Sequence, residues 1–221
     1  MSLPATLAAV VFDLDGTLVD SSPDLASAVN TVLVANGGKP VSIDEVKHWI
    51  GHGASYMLEH ALESQGIVVE HDVYPAFRAA YRARLSNETR PYPGIVRLLT
   101  NLRRHGVKVA VCTNKPEEPA VELVTQLGMG VLLDTLVGGD TFKVKKPHAK
   151  PILEALKRVG VAAEHAVMVG DSVADVDGGA AAGVATVGVS YGYGDASGAH
   201  VVVASSEALA EFLNARLPER S

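Results

Sequence analysis

Residues 7–17 read Leu-Ala-Ala-Val-Val-Phe-Asp-Leu-Asp-Gly-Thr, an apolar run that ends in two acidic side chains. Six consecutive apolar residues predict a strand covered on both faces, as in a parallel sheet. Asp13 and Asp15 then follow at the tip of that strand. Because like charges this close need a cation or a shared proton to compensate them, the pair indicates chemistry rather than packing.

Two simpler explanations of the aspartate pair are a calcium loop and a solvated turn. A calcium loop of the EF-hand type needs Gly at its sixth position and Glu at its twelfth, but counting from Asp13 these positions hold Leu18 and Asp24. A solvated turn after an edge strand would also account for Asp and Gly. That second explanation leaves three later motifs of the chain unexplained.

Composition limits the possible functions. A chain of 221 residues with 48% hydrophobic and 20% charged residues predicts a globular protein with a sizeable core. Its net charge of −6 argues against nucleic acid or an anionic membrane as the main partner. A single cysteine, Cys112, excludes internal disulfides and fits a reducing compartment. With no basic, apolar leader and no apolar segment of the ~20 residues that a membrane helix needs, we expect a cytoplasmic protein.

Strand and helix patterns alternate along most of the chain. Val-rich apolar runs occur at 7–12, 107–112, 166–169 and 184–189, and helical repeats end at Gly106, Gly128 and Gly160. This alternation is typical of an α/β protein with a doubly wound parallel sheet, that is, a Rossmann-like core.

Residues 20–89 break this alternation. They contain helical patterns only, including one that starts at Ser22-Pro23 and one that starts at the capping box formed by Ser42 and Glu45. We therefore expect an all-helical cap domain over 20–89, inserted into a catalytic core made of 1–19 and 90–221. A Pro- and Gly-rich segment at 91–94 suits the second boundary.

Polar side chains follow the other predicted strands as well. In open parallel sheets, ligands bind outside the carboxyl ends of the strands, so residues far apart in sequence share one crevice there. Beyond Asp13 and Asp15, this crevice is expected to contain the motifs Thr113-Asn114-Lys115, Lys145-Lys146-Pro147 and Gly170-Asp171-Ser172, with Asp175 one helical turn further on.

These residues suit phosphoryl transfer through a covalent carboxyl phosphate. Asp13 is the predicted nucleophile, and Asp15 is the predicted acid and base for the leaving group and the water. Thr113 is expected to bind phosphate oxygens, and Lys146 to offset the negative charge. The predicted Mg²⁺ ligands, all hard oxygen donors, are Asp13, Asp15 and Asp171. Asp175 is expected to act through a water or by orienting Ser172 or a lysine, so that Ser172 and Asp175 hold the site in place without touching the ion directly.

The four motifs, in this order and with a helical insertion after the first, resemble those of the haloacid dehalogenase-like hydrolases. The resemblance runs over the whole chain and implies a phosphatase. Carbon–halogen cleavage needs no proton for its leaving group, so Asp15 argues against a dehalogenase. A β-phosphoglucomutase carries a cap histidine soon after the first motif, and residues 20–27 contain none.

Flanking segments are similar to those of the phosphoglycolate phosphatase branch of this superfamily, namely 49–54, 113–116, 138–140, 145–148 and 191–194. This resemblance implies hydrolysis of 2-phosphoglycolate. Two positions depart from the branch: Ala149 replaces a proline, and His52 stands where asparagine is common. Phosphatases of sugar phosphates and pyrophosphatases remain open alternatives.

The side of the site that recognises the substrate is less strongly indicated. The substrate-binding residues that the resemblance implies are Asn114, Lys115, His52 and Gly53, and the predicted helices also carry Arg78, Arg82 and Arg84. A small phosphorylated metabolite is the expected partner, and the protein is expected to be a monomer or homodimer. The alternative from another class is a non-catalytic phospho-acceptor domain, although such domains lack an inserted cap and place the acceptor on a middle strand of the sequence.

Overall fold

The computed structural model describes residues 2–219, and its centre is a six-stranded sheet. All neighbouring strands in it run parallel, in the order β5-β4-β1-β6-β7-β8. The bounds of these strands are β1 (Ala9–Phe12), β4 (Lys108–Cys112), β5 (Thr135–Val137), β6 (Ala166–Gly170), β7 (Ala185–Val189) and β8 (Val201–Val203). This arrangement confirms the predicted doubly wound α/β fold.

Helices cover both faces of the sheet. They are α5 (Ile95–Arg104), α6 (Glu117–Gln126), α7 (Ala149–Val159), α8 (Val173–Ala181) and α9 (Ser206–Asn214). Helices α7 and α8 pack on one face, where Ile152 and Leu156 meet Val11 and Met168. The opposite face receives α5 and α9, so every central strand is buried on both sides.

Four helices form a separate layer after the first strand: α1 (Ser22–Ala35), α2 (Ile43–Lys47), α3 (Ala54–Glu63) and α4 (Tyr74–Arg82). We call residues 22–82 the helical insertion. Its ends are joined by a short antiparallel pair, β2 (Val19–Asp20) with β3 (Arg90–Pro91). As predicted, Pro23 lies in the first turn of α1, and Ser42 with Glu45 forms a capping box at the start of α2.

The sequence patterns missed β5, β8 and α9. Both strands are three residues long, and β8 is partly exposed, so neither has a long apolar run. Helix α9 follows β8, after the last of the long Val-rich runs. In residues 2–219, no helix is both long and apolar enough to cross a membrane.

Candidate active site

The candidate site lies at the carboxyl ends of three adjacent strands. Phe12 at the end of β1 is level with Val111 of β4 and Val169 of β6. The residues that follow these strands therefore come together: Asp13 after β1, Thr113 after β4 and Asp171 after β6. All three are buried, with 3–5% of their surface exposed.

Three carboxylates converge at this edge of the sheet. Oxygen atoms of Asp13, Asp171 and Asp175 all lie within 4.8 Å of one another. Asp175, on α8, lies here because α8 starts directly at the tip of β6. A Cβ atom at Gly170 would lie 2.2 Å from the Asp175 side chain, so only glycine lets α8 approach the strand end this closely.

Lys146 is the cation of this cluster. Its Nζ lies 2.9 Å from Oδ1 of Asp13 and 2.5 Å from Oδ1 of Asp175. Asp175 also accepts hydrogen bonds from the backbone N–H and the hydroxyl of Ser172, at 3.1 and 2.7 Å. Asp175 therefore orients both Lys146 and the start of α8. Burial lowers the pKa of Lys146, but Asp13 and Asp175 outweigh it, so the net shift is upward and the ammonium stays charged.

One lysine does not compensate three buried carboxylates. Burial and the charge of Asp175 raise the pKa of Asp13 from 3.8 to about 8, and burial and Asp175 raise the pKa of Asp171 to about 6. Oδ1 of Asp13 is buried, and apart from its 2.9 Å ion pair with Lys146 it has no hydrogen-bond partner in the range 2–219. Three carboxylates that share one ammonium fit a divalent cation that prefers oxygen ligands, such as Mg²⁺.

Asp15 lies apart from this cluster. Both of its carboxylate oxygens accept hydrogen bonds from Nζ of Lys115, at 2.9 and 3.0 Å, and Oδ1 also accepts one from the hydroxyl of Ser21 at 2.5 Å. The set of clustered carboxylates thus differs from the predicted metal set, with Asp175 in the cluster and the Asp15 side chain outside it. The two aspartates of the motif have separate surroundings, one facing acidic groups and the other facing lysine.

A tight turn separates the two aspartates from the helical insertion. The N–H groups of Leu18 and Val19 both donate to the carbonyl of Leu14. Gly16 has a φ of 82°, and a Cβ atom on it would lie 2.4 Å from Oδ2 of Asp171. Glycine is therefore required here both for backbone conformation and for the approach to Asp171.

Tyr193 connects the acidic cluster with the entry to the helical insertion. Its N–H donates to Oδ2 of Asp171 at 2.7 Å, while its hydroxyl donates to Asp20 at 2.7 Å and accepts from the N–H of Ser21 at 2.8 Å. Burial raises the pKa of Asp20, but hydrogen bonds from Ser22 and Tyr193 outweigh it and hold that pKa below its usual range. The Tyr-Gly-Tyr-Gly segment at 191–194 carries a family resemblance, but its local sequence does not predict the contacts of Tyr193.

The remaining predicted site residues are mainly occupied by protein contacts. The side-chain amide of Asn114 donates to the carbonyls of Gly51 and Lys146, so it links the loop before α3 to the loop carrying Lys146. Nζ of Lys145 donates to the carbonyl of His52 at 2.6 Å. The His52 ring is exposed and stacks on Tyr56, with 4.5 Å between ring centroids.

A cavity of about 200 Å³ lies between the strand tips and the helical insertion. Asp13, Asp15 and Thr113 line it on the sheet side, and Gly53 lines it from the loop before α3. Its opposite wall is largely apolar and comes from the insertion and from Leu85 just after it; the residues of the insertion are Leu25, Ile50, Met57, Phe77 and Tyr81. The predicted nucleophile and the predicted acid and base thus open into one space.

The predicted arginines differ in position. Arg78 and Arg82 line the cavity and form ion pairs with Glu118, while Arg82 also contacts Glu122 at 3.3 Å. These pairs join α4 of the insertion to α6 of the core. Arg84 lies outside the cavity wall and pairs with Glu88 at 3.7 Å.

Known proteins with this sequence pattern identify the family. The family profile described as haloacid dehalogenase-like hydrolase matches residues 10–189. This chain belongs to that family. It is also 40% identical over 189 residues, 84% of this chain and 81% of the relative, to a phosphoglycolate phosphatase of Agrobacterium fabrum. A phosphoglycolate phosphatase of Pseudomonas putida is 41% identical over 199 residues, 86% of this chain and 72% of the relative.

Solved structures of similar shape agree with this assignment. The crystal structure of a predicted phosphoglycolate phosphatase from Haemophilus somnus 129pt matches with a TM-score of 0.86 at 29% identity, covering 94% of this chain and 97% of that one. This member of the haloacid dehalogenase-like hydrolases is therefore a phosphatase. That result argues against the non-catalytic phospho-acceptor considered from the sequence.

Proposed function

We propose that this phosphatase hydrolyses a small phosphomonoester, 2-phosphoglycolate first, through a phosphoryl group carried on Asp13. The observation that carries the proposal is the separate placement of two aspartates at one cavity, Asp13 beside Lys146 and the acidic cluster, and Asp15 beside Lys115. Two carboxylates with different surroundings are suited to two different roles.

In the first half of the reaction, a carboxylate oxygen of Asp13 attacks phosphorus and the bond to the ester oxygen breaks. The carboxylic acid form of Asp15 gives its proton to that leaving oxygen. In the second half, the Asp15 carboxylate takes a proton from water, whose oxygen attacks the phosphoryl group and releases phosphate. Asp13 and Asp15 are then restored to their starting forms.

Lys146 and the acidic cluster support the charge balance of these steps. Asp13 and Asp171 would hold Mg²⁺ through carboxylate oxygens, and the ion would neutralise charge on the phosphoryl oxygens. Lys146 holds a positive charge 2.9 Å from Asp13 as the phosphate arrives. Asp175 keeps that ammonium in place, because its other oxygen is already bonded to Ser172.

The helical insertion is proposed to act as a cap over the site, within the predicted boundaries 20–89. A cap opens and closes by moving relative to the core, and the two-residue pair of β2 with β3 is a narrow connection that suits such a movement. Cap loop residues 51–53 reach the core through Asn114 and Lys145. In this conformation the insertion covers the cavity and limits water at the reacting atoms.

The choice of 2-phosphoglycolate rests on the relatives named above. A cavity of about 200 Å³ suits a small ester. Sugar phosphates and pyrophosphate are the competing substrates, and the groups around Asp13 would act on any of them because they contact the phosphoryl end only.

The test is a substrate panel assayed for release of inorganic phosphate with Mg²⁺ and with chelator. The panel contains 2-phosphoglycolate, p-nitrophenyl phosphate, glucose 6-phosphate and pyrophosphate. We expect turnover that stops on chelation and is restored by Mg²⁺, with the highest kcat/KM for 2-phosphoglycolate. A rate unaffected by chelator would contradict the metal assignment. A higher kcat/KM for a sugar phosphate or pyrophosphate would make that compound the preferred substrate in place of 2-phosphoglycolate.

A further inference from the structure

Tyr81 is a buried polar residue that the catalytic scheme leaves without a role. It lies in α4 of the helical insertion and is 4% exposed. Its hydroxyl is fully covered and interacts with the ammonium of Lys115, but no acceptor in residues 2–219 takes the hydroxyl proton. Buried hydroxyls in folded proteins nearly always donate to a partner, so one that lacks an acceptor beside a cavity indicates the place of a ligand atom.

The neighbour of Tyr81 is the lysine that contacts Asp15. Nζ of Lys115 lies 4.7 Å from the centroid of the Tyr81 ring and 2.9 Å from Oδ1 of Asp15. Tyr81 and Lys115 are thus two hydrogen-bond donors at the end of the cavity where Asp15 is proposed to protonate the leaving oxygen.

The surroundings of this pair are apolar. Leu25, Phe77 and Leu85 line the same wall of the cavity, and Phe77 stacks with Tyr81 at 5.9 Å between centroids. The other cations of this wall, Arg78 and Arg82, are already paired with Glu118. A hydroxyl donor and an ammonium in apolar surroundings discriminate strongly between ligands that carry an acceptor oxygen and ligands that lack one.

We propose that Tyr81 is a substrate-binding residue that donates its hydroxyl to an oxygen of the leaving group, a carboxylate above all, with Lys115 supplying the positive charge. This inference rests on the proposed function and adds to it a class of substrate: short phosphate esters with an anionic oxygen one or two carbons from the ester oxygen. Burial raises the pKa of Tyr81 to about 12, so its hydroxyl retains the proton that it would donate.

The experiment compares two esters that differ only in the acceptor group, 2-phosphoglycolate and ethyl phosphate. In Tyr81→Phe, kcat/KM for 2-phosphoglycolate should fall about tenfold, mainly through KM, because one hydrogen bond of about 1.4 kcal/mol is lost. The value for ethyl phosphate should stay within a factor of about two. The matched control is Tyr56→Phe, which changes a tyrosine of the same insertion outside the cavity wall and should alter neither value.

Protein stability separates binding from a structural role. Because the hydroxyl of Tyr81 has no acceptor in the protein, Tyr81→Phe should leave the melting temperature of the ligand-free protein unchanged or higher. A lower melting temperature with equal losses on both esters would show a structural role and overturn the inference. No loss on 2-phosphoglycolate would also overturn it.

A binding measurement keeps this test independent of turnover. Calorimetric titration of Asp13→Asn with 2-phosphoglycolate, compared with Asp13→Asn/Tyr81→Phe, should give about a tenfold weaker Kd in the double variant. Equal dissociation constants would overturn the role of Tyr81 while leaving the phosphatase proposal intact. Conversely, absence of phosphate release from every ester by the wild type would contradict the proposed function, whereas a Kd difference would still support the binding role.

Discussion

The two sides of the cavity are built differently. On the sheet side, Asp13, Lys146 and Asp175 are 2–5% exposed and are held together by contacts of 2.5–2.9 Å. On the insertion side, the ion pairs of Arg78 and Arg82 with Glu118 have side chains that are 53–58% exposed. Tyr81 is buried there, but no acceptor in residues 2–219 takes its hydroxyl proton.

This difference separates chemistry from recognition. Buried charges in fixed contact with one another require little rearrangement when a phosphoryl group arrives, which is what electrostatic stabilisation of a reaction needs. Exposed ion pairs contribute little to stability and exchange partners easily. The sheet side is therefore expected to decide whether the reaction proceeds, and the insertion side to decide on which leaving group.

The largest effect should come from Asp13→Asn. Loss of the nucleophile should reduce kcat by a factor on the order of 10⁴ or more, measured as phosphate release with Mg²⁺. Asp177→Asn, an exposed position on α8, is the control and should retain full activity. Retained turnover in Asp13→Asn would place the nucleophile elsewhere.

The same variant has a stability signature in metal-free protein. Burial and Asp175 raise the pKa of Asp13 in the folded protein from 3.8 to about 8. Between these two pH values the folded protein keeps the proton on Asp13, whereas the unfolded chain loses it. In the wild type, stability is therefore lost as pH rises from about 4 to about 8, because only the unfolded chain ionises there. Asparagine does not ionise, so thermal unfolding should show a stability gain of the variant that grows over this interval.

The next largest effect should come from Lys146→Met. Removing the ammonium leaves Asp13 and Asp175 buried without their cation, which should lower the free energy of unfolding by about 3–5 kcal/mol and kcat by about 10²–10³. Chemical denaturation and steady-state kinetics measure both. Lys143→Met, an exposed lysine of the same loop, should change neither quantity. Equal losses in the two variants would show that Lys146 does not act as the cation of Asp13 and Asp175.

A smaller effect should come from Tyr193→Phe, which tests the connection between the two sides. Losing its hydroxyl leaves the N–H of the buried Ser21 without its 2.8 Å acceptor, at a cost of about 1–3 kcal/mol in unfolding free energy. Since the Asp171 contact uses the backbone N–H of Tyr193, the loss in kcat should stay below about tenfold. The control is Tyr191→Phe, because in residues 2–219 the Tyr191 hydroxyl donates to the carbonyl of Thr17 and not to Asp20 or Ser21. If the control lost as much activity, the connection through Tyr193 would be refuted.

The smallest effect should come from Glu118→Gln on the insertion side. Its ion pairs with Arg78 and Arg82 are exposed, so the free energy of unfolding should change by less than about 1 kcal/mol. KM should change by about twofold at low ionic strength, and salt should abolish the difference, because screening weakens exposed pairs. Glu154→Gln, which breaks an exposed pair with Lys157 on α7, is the control. A large change in kcat would mean that this contact belongs to the chemistry.

Most of the sheet side could be predicted from short motifs. Asp13, Thr113, Lys146 and Asp171 each follow an apolar run or precede a helix, and the rule that parallel strands end at one edge brings them together. Asp175 was predicted only to orient its neighbours, and the structure puts its carboxylate within 4.8 Å of Asp13 and Asp171. That distance depends on how closely α8 approaches β6, which no local pattern contains.

The insertion side required the folded structure. The sequence of its helices shows only that each has an apolar face. A helical repeat that contains Phe77 and Tyr81 is as typical of a face buried in the core as of a face that lines a binding cavity. Lys115 contacts the ring of Tyr81, which lies 34 positions earlier in the chain, and Asp15, which lies 100 positions earlier.

Residue order along the chain was therefore enough for the fold class and for the groups at the strand tips, because hydrophobic periodicity and strand direction are local properties. Three features arose only on folding: the pairing of Asp15 with Lys115, the link through Tyr193, and the burial of the Tyr81 hydroxyl without an acceptor. Each of these depends on packing between distant elements, where a shift of about 1 Å makes or breaks a hydrogen bond.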